Sequence, residues 1–137
     1  MKNAMLGFLT AFVCIALSLS SCTKEKTFEE QLIGHWHSEK VKISGVDAST
    51  SSSVVLKLTS EKKFTLEISG NTLLIGSTTQ KFTGTWEKDP ADDNDILLTY
   101  DANGQKSRYE IDTLEDDRMD ADIIVGGVLY EIVFGRI

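Results

Sequence analysis

Apolar and polar residues alternate along most of the chain beyond residue 34. In 63–69, for example, Phe64, Leu66 and Ile68 are separated by polar side chains. Alternation with a period of two is typical of a β-strand that buries one face. It predicts eight strands, at 35–43, 53–59, 63–69, 80–88, 95–100, 105–113, 118–125 and 128–136, and a short ninth candidate at 73–75.

Short turns separate these predicted strands. The segments 101–104 and 126–127 consist mainly of Asp, Asn and Gly, which tolerate the positive φ that tight hairpins require. Short connections make sequential strands antiparallel neighbours. Eight such strands are most stable when the sheet closes on itself, because closure removes the unpaired edges. The expected fold class is therefore all-β, an eight-stranded antiparallel up-and-down barrel.

A short helical turn is expected before the first strand. Thr27 and Glu30 have the spacing of a capping box, with Thr27 as the N-cap and Glu30 reaching back to it. Gly34 would close this turn, since glycine commonly ends helices.

The first predicted strand changes phase along its length. Trp36 occupies an even position, whereas Val41 and Ile43 occupy odd ones. A one-residue slip would turn the later side chains outward, so the pattern predicts a β-bulge or a bend between Trp36 and Val41.

The N-terminal segment has the organisation of a secretory signal peptide. A short basic start, which contains Lys2, precedes 14 apolar residues at 4–17. A transmembrane helix needs about 20 such residues, so this run is short for a span.

Residues 19–22, Leu-Ser-Ser-Cys, resemble the lipobox of bacterial lipoproteins. The resemblance implies cleavage before Cys22, a lipid on Cys22, and anchoring at the cell envelope, with the outer membrane expected and its face left open. Cys14 would leave with the signal peptide, so the mature chain would have no disulfide. The alternative is a plain signal anchor with an incidental cysteine. The expected domains are a signal peptide at 1–21, a lipidated tether with the helical turn at 22–33, and a barrel at 34–137.

Gly34-His35-Trp36 resembles the G-x-W signature of lipocalins, and 82–86 and 134–136 resemble the small lipocalin-like domains of bacterial lipoproteins. The resemblance covers roughly 27–137. It implies that Gly34, Trp36 and Arg136 mark the closed base of the barrel, with Arg136 stacked on Trp36. Trp36 as a plain core aromatic is the alternative. The Ser- and Thr-rich connection at 45–52 would border the opposite, open end.

A lipocalin-like barrel would hold a small apolar or amphipathic ligand, and the inward faces of the predicted strands are rich in aromatic residues. The candidate ligand-binding residues are Phe64, Phe82, Trp86, Tyr100, Tyr109 and Tyr130. The hydroxyls of Tyr100 and Tyr109 are the expected polar contacts. Large side chains can also fill an eight-stranded barrel. A filled barrel that acts through its loops, as an envelope interaction or inhibitor-like module, is the alternative function.

Charge and motif content give little support for other chemistry. The 137-residue chain has the length of one domain, and its net charge of −7 argues against a nucleic-acid partner. His35 and His37 lie two apart, but a catalytic zinc site needs a third protein ligand. The acidic turns at 92–95 and 115–117 lack the spacing of a calcium loop and are expected to be solvated. No nucleophile elbow or phosphate loop is present. We expect no catalytic residue, metal or cofactor, a non-enzymatic role, and an unidentified protein partner, if any.

Overall fold

A computed structural model describes residues 24–70 and 79–137. The predicted signal peptide, Cys22 and the candidate strand at 73–75 lie outside the described residues. One helix and nine strands are described: α1 (Phe28–Leu32), β1 (Gly34–Ile43), β2 (Val46–Asp47), β3 (Ser52–Leu58), β4 (Lys63–Gly70), β5 (Gln80–Lys88), β6 (Asp95–Tyr100), β7 (Lys106–Leu114), β8 (Arg118–Val125) and β9 (Val128–Arg136). The all-β prediction is confirmed, and each of the eight predicted strands ends within one residue of its predicted boundary. No helix among the described residues is long and apolar enough to cross a membrane.

The eight long strands form a closed antiparallel barrel. Each pairs with the next long strand along the chain, and β1 pairs with β9 to close the ring. The predicted up-and-down topology is therefore confirmed. The two-residue β2 is an addition that no pattern predicted, and it pairs with the last residues of β1, Lys42 and Ile43.

The antiparallel order gives the barrel two distinct ends. We call the end that carries α1 and the turns 59–62, 89–94 and 115–117 the lower end. The upper end carries the connection 44–51 and the turns 101–105 and 126–127. The Ser- and Thr-rich connection thus lies opposite Trp36, as expected.

The capping box of α1 is present as predicted. The Glu30 amide donates to Thr27 Oγ1 at 3.2 Å, and the Thr27 amide donates to Glu30 Oε2 at 2.8 Å. The hydrogen bond from the Thr27 amide lowers the pKa of the Glu30 carboxyl, because it stabilises the ionised form.

Gly34 does not close the helix, which corrects the sequence-based expectation. Ile33 is the C-cap, and it takes an extended conformation. Gly34 is the first residue of β1, with φ of +150°, and a Cβ there would lie 2.5 Å from Nη1 of Arg136. Glycine is needed at this position for the approach of the guanidinium group and for the backbone conformation.

The phase change in β1 is a β-bulge, as predicted. Opposite β9, Ser38 pairs with Phe134 and Lys40 pairs with Val133, so the register shifts between Ser38 and Lys40. The extra residue lets Trp36 and Val41, at positions of opposite parity, both face the core.

The inward faces of the eight long strands and Leu32 of α1 form one hydrophobic core inside the barrel. Its largest fully buried side chains are Trp36, Trp86, Tyr109, Tyr130, Phe134, Leu32, Leu56, Leu58, Leu66, Ile96, Leu98 and Met119. Several of them come from the lower-end halves of their strands, so the lower part of the barrel is filled by side chains.

Candidate functional site

The closed end of the barrel is built around Trp36. Its indole Nε1 donates to the Leu32 carbonyl at 2.8 Å, which satisfies the one polar atom of a fully buried ring. The guanidinium carbon of Arg136 lies 4.3 Å from the centre of this ring. This distance is within cation–π range, so the predicted contact between Trp36 and Arg136 is confirmed.

Arg136 also joins three segments of the lower end through backbone carbonyls. Its Nη1 donates to Ile33 O at 2.8 Å, its Nη2 donates to Gln31 O, and its Nε donates to Asp116 O. The first two acceptors lie at the C-terminal end of α1, where a cation is favourable for the helix dipole. One side chain thus connects β9, α1 and the turn 115–117.

Trp86 has a similar arrangement at the same end. Its Nε1 donates to the Thr59 carbonyl at 3.0 Å, and Lys62 Nζ lies 4.1 Å from the ring centre. Lys62 also pairs with Glu29 of α1 at 2.6 Å. Both indoles of the protein are therefore hydrogen-bonded to backbone and covered by a cation at the lower end.

Three of the predicted ligand-binding aromatics meet inside the barrel, on the neighbouring strands β4, β5 and β6. The Tyr100 ring packs edge to face against Phe64, with centroids 5.4 Å apart, and against Phe82 at 5.7 Å. Gly84 lies between them in the cross-strand row, paired with Phe64 on one side and Tyr100 on the other. A Cβ on Gly84 would lie 2.7 Å from Phe64 Cε1, so the missing side chain gives the rings room.

Three buried hydroxyls inside the barrel have no hydrogen-bond partner among the described residues: those of Ser52, Tyr100 and Tyr109. Ser52 begins β3 and shares its inward parity with Val54, and Tyr100 ends β6, so both lie at the upper end. Tyr109 lies in the upper half of β7 and is fully buried. An unsatisfied buried hydroxyl lowers the stability of the fold by about 1–3 kcal/mol. The described part of the protein leaves these three hydroxyls without a partner.

The Tyr109 phenol is held in its neutral form. Burial raises the pKa of Tyr109 well above its ordinary value, and the nearby Tyr100 phenol raises it further. Burial also raises the pKa of Tyr130. These phenols are neutral O–H groups at physiological pH and can act as hydrogen-bond donors.

The structure brings four of the predicted ligand-binding residues close together and places the other two elsewhere in the barrel. Phe64, Phe82 and Tyr100 are in contact, and Tyr109 approaches Tyr100. Tyr130 is buried on β9, on the wall opposite β5. Trp86 faces the same interior from β5, but its indole N–H already donates to Thr59 in the lower-end turn 59–62. Ser52, which the sequence placed only in a surface connection, adds a buried hydroxyl at the upper end of β3.

The predicted ligand-binding rings differ in burial. Phe82 and Tyr100 are only partly buried, whereas the rings at the lower end, Trp36 and Trp86, are 0% and 2% exposed.

Charged side chains are excluded from this interior. Among the described residues, no lysine, arginine or histidine is buried, and the buried carboxylates are Asp89 and Asp95. Both pair with Arg108 on the outer face of β7, where Arg108 Nε lies 2.7 Å from Asp95 Oδ2 and 3.4 Å from Asp89 Oδ2. The upper interior therefore offers hydroxyls and no charge.

The expectation that the turn 92–95 is solvated is wrong for Asp95. Asp95 is only 5% exposed, and its carboxylate is paired with Arg108. Asp93 in the same turn remains exposed, as expected. The difference arises because Asp95 already belongs to β6. It lies opposite Glu110 and two residues from Leu97, the partner of Arg108, so the guanidinium can reach it diagonally.

His35 and His37 lie on β1 on either side of the inward Trp36 and are not buried. Among the described residues, no group of three or more His, Cys, Asp or Glu side chains could hold a metal ion. The two histidines are therefore placed as outward-facing strand residues.

The outer face of the barrel carries a row of carboxylates in register. Asp122 on β8 pairs directly with Glu110 on β7 and with Glu131 on β9. Partial burial, followed by the charges of Asp112, Glu131 and Glu110, raises the pKa of Asp122. Like charges directly opposite each other destabilise a sheet.

Asp122→Asn should therefore stabilise the fold at pH 7, by up to about 1 kcal/mol. A carboxyl whose pKa is raised by folding favours the folded state below its unfolded value and opposes it as pH rises, so the gain should vanish near pH 3. Thermal unfolding at both pH values measures it. Asp117→Asn, in an exposed turn, is the control, and an equal effect of both variants would contradict the prediction.

No protein-family model matches the chain, and no curated protein matches it with significant similarity. The functional assignment therefore depends on the fold and on the geometry of its interior.

Proposed function

We propose that this protein is a membrane-anchored, lipocalin-like lipoprotein of the cell envelope that binds a small apolar or amphipathic molecule in the upper part of its barrel. The lipobox resemblance of 19–22 supports the lipid anchor, with the outer membrane as the proposed site. The closed eight-stranded barrel and the stacked Trp36–Arg136 pair support the lipocalin-like assignment.

One observation carries the ligand proposal: the buried hydroxyls of Ser52, Tyr100 and Tyr109 have no hydrogen-bond partner in the part of the chain that the structure describes. Ligand sites are typically apolar pockets with a few polar groups that fix the orientation of the ligand. The cost of leaving these hydroxyls unsatisfied is recovered when a ligand supplies the missing partner.

Removal of the two phenolic hydroxyls tests this role. The double variant Tyr100→Phe/Tyr109→Phe should bind the neutral dye Nile red about tenfold more weakly than the wild type, because it loses hydrogen bonds to the dye. The empty variant should at the same time be more stable, by about 1 kcal/mol, since no buried hydroxyl is left unpaired. Fluorescence titration and urea unfolding measure the two effects.

Thr99→Val is the matched control, because it removes an outward hydroxyl from the residue next to Tyr100 and should leave dye binding unchanged. If the wild type shows no saturable dye binding, the ligand proposal fails. If the double variant is strongly destabilised, the hydroxyls serve the fold instead.

The lipid anchor is tested at Cys22. Cys22→Ser should abolish incorporation of a labelled fatty acid and release the protein from the detergent phase in phase partitioning, because the acyl chains supply the membrane affinity. Cys14→Ser, within the predicted signal peptide, is the control and should be labelled normally. Normal labelling and anchoring of Cys22→Ser would refute the proposal.

The alternative function, protein interaction through the loops, is favoured by the filled lower half of the barrel, where Trp36, Leu58 and Met119 are at most 1% exposed. This alternative predicts that Nile red does not bind to the domain. It also predicts that Tyr100→Phe/Tyr109→Phe gains stability without weaker binding to the partner protein.

A further inference from the structure

The unpartnered hydroxyls also indicate the chemistry of the ligand, beyond its apolar character. Resting on the proposed ligand-binding function, we propose that the barrel selects an uncharged ligand with a carbonyl-type hydrogen-bond acceptor, such as an ester or a ketone, and discriminates against carboxylates and amines.

The interior can offer hydroxyl hydrogens to a ligand. The hydroxyls of Ser52, Tyr100 and Tyr109 each carry a proton, and the environment of Tyr109 keeps its phenol neutral. Phenols are stronger hydrogen-bond donors than acceptors, so an acceptor oxygen on the ligand satisfies them best. The Tyr100 phenol lies close enough to Tyr109 to raise the pKa of Tyr109, so both hydroxyls can address one acceptor.

The interior offers no cation that could neutralise an anionic ligand among the described residues. Arg136 and Lys62 cover the indoles at the lower end, and Arg108 lies on the outer face with Asp89 and Asp95. No described lysine, arginine or histidine is buried beside the hydroxyls. An ionised carboxylate brought there would lose its hydration without gaining a counter-ion, which is strongly unfavourable.

The same reasoning excludes a cationic ligand. The buried carboxylates among the described residues, Asp89 and Asp95, are already paired with Arg108 outside the barrel wall. An ammonium group in the upper interior would therefore meet only neutral hydroxyl oxygens and no carboxylate to balance its charge, which is unfavourable for a desolvated cation. A neutral acceptor avoids both penalties.

Three probes of equal chain length separate these possibilities: methyl decanoate, decanoate and decane, each competing with Nile red at pH 8. We expect the ester to bind at least tenfold more tightly than decanoate. Decanoate should gain affinity as the pH falls toward 5, because a growing fraction is then neutral. Tighter binding of decanoate than of the ester at pH 8 would overturn the inference.

A variant then tests the hydrogen bond itself. Tyr109→Phe should weaken ester binding by about fivefold and leave decane binding unchanged, since decane has no acceptor. Thr99→Val should change neither. Equal loss for ester and decane would mean that Tyr109 contributes shape only and would overturn the inference.

A spectroscopic readout is independent of how well the variant folds. The carbonyl stretch of ¹³C-labelled ester bound to the wild type should lie at lower frequency than in decane, as expected for a hydrogen-bonded carbonyl. An unshifted band would contradict acceptor recognition. If Nile red and the three probes all fail to bind, the proposed ligand-binding function fails, whereas binding with reversed preference removes only the inference on ligand chemistry.

Discussion

Replacement of Arg136 with alanine should lower the free energy of unfolding by about 3 kcal/mol, because three charge-assisted hydrogen bonds and a cation–π contact are lost together. The three carbonyl acceptors belong to Gln31, Ile33 and Asp116, so α1 and the turn 115–117 lose their connection to β9. Urea unfolding of the wild type and the variant measures the loss.

The nature of the contact predicts how the conservative variant behaves. Lysine at position 136 keeps the charge but cannot direct donors to three acceptors, so Arg136→Lys should recover less than half of the loss. Arg118→Ala is the control: the exposed Arg118 binds the half-buried Asp120 at 2.9 Å, and a surface pair of this kind contributes at most about 1 kcal/mol. Equal losses for Arg136→Ala and Arg118→Ala would contradict the role assigned to Arg136.

Arg108→Met should also destabilise the protein by about 3 kcal/mol, because it leaves Asp89 and Asp95 buried without their counter-ion. These residues are 7% and 5% exposed; Asp89 begins the turn 89–94, and Asp95 directly follows it. Methionine keeps most of the apolar stem, so the loss reports the charge interaction rather than packing.

Neutralising the carboxylates should reverse the effect of Arg108→Met. In the background Asp89→Asn/Asp95→Asn, the same substitution should cost less than about 1 kcal/mol, since no charge is left uncompensated. Lys106→Ala, which breaks an exposed pair with Glu87 at 3.2 Å, is the control. An undiminished loss in the neutralised background would show that Arg108 acts through packing.

The fold was predictable from the sequence because alternation and turn residues are local signals. The capping box at Thr27 was visible in the residue types, and the bulge between Ser38 and Lys40 was visible as a change of parity. A second bulge, in β7 between Ile111 and Thr113, was missed. The sequence indicated this bulge too by a change of parity, because Ile111 and Leu114 both pack in or against the core.

The site was predictable only in part, because it depends on contacts between distant strands. The aromatic candidates were found by their inward parity, and the Trp36–Arg136 contact followed from the family resemblance. Ser52 was missed although it shares its parity with Val54. A polar residue at the end of a strand gives the same pattern whether it faces the interior or solvent. The pairing of Asp95 with Arg108 joins residues on different strands, so the spacing of acidic residues could not indicate it.

Native mass spectrometry of the domain purified from its own host should detect the proposed ligand directly. We expect the folded domain to carry a single small molecule, lost on denaturation, whose mass corresponds to an uncharged, predominantly apolar compound with an acceptor oxygen. The Tyr100→Phe/Tyr109→Phe variant should carry much less of it, and Thr99→Val should carry as much as the wild type. A folded domain that shows only its polypeptide mass, and that also takes up no neutral ester when one is added, would contradict ligand binding inside the barrel.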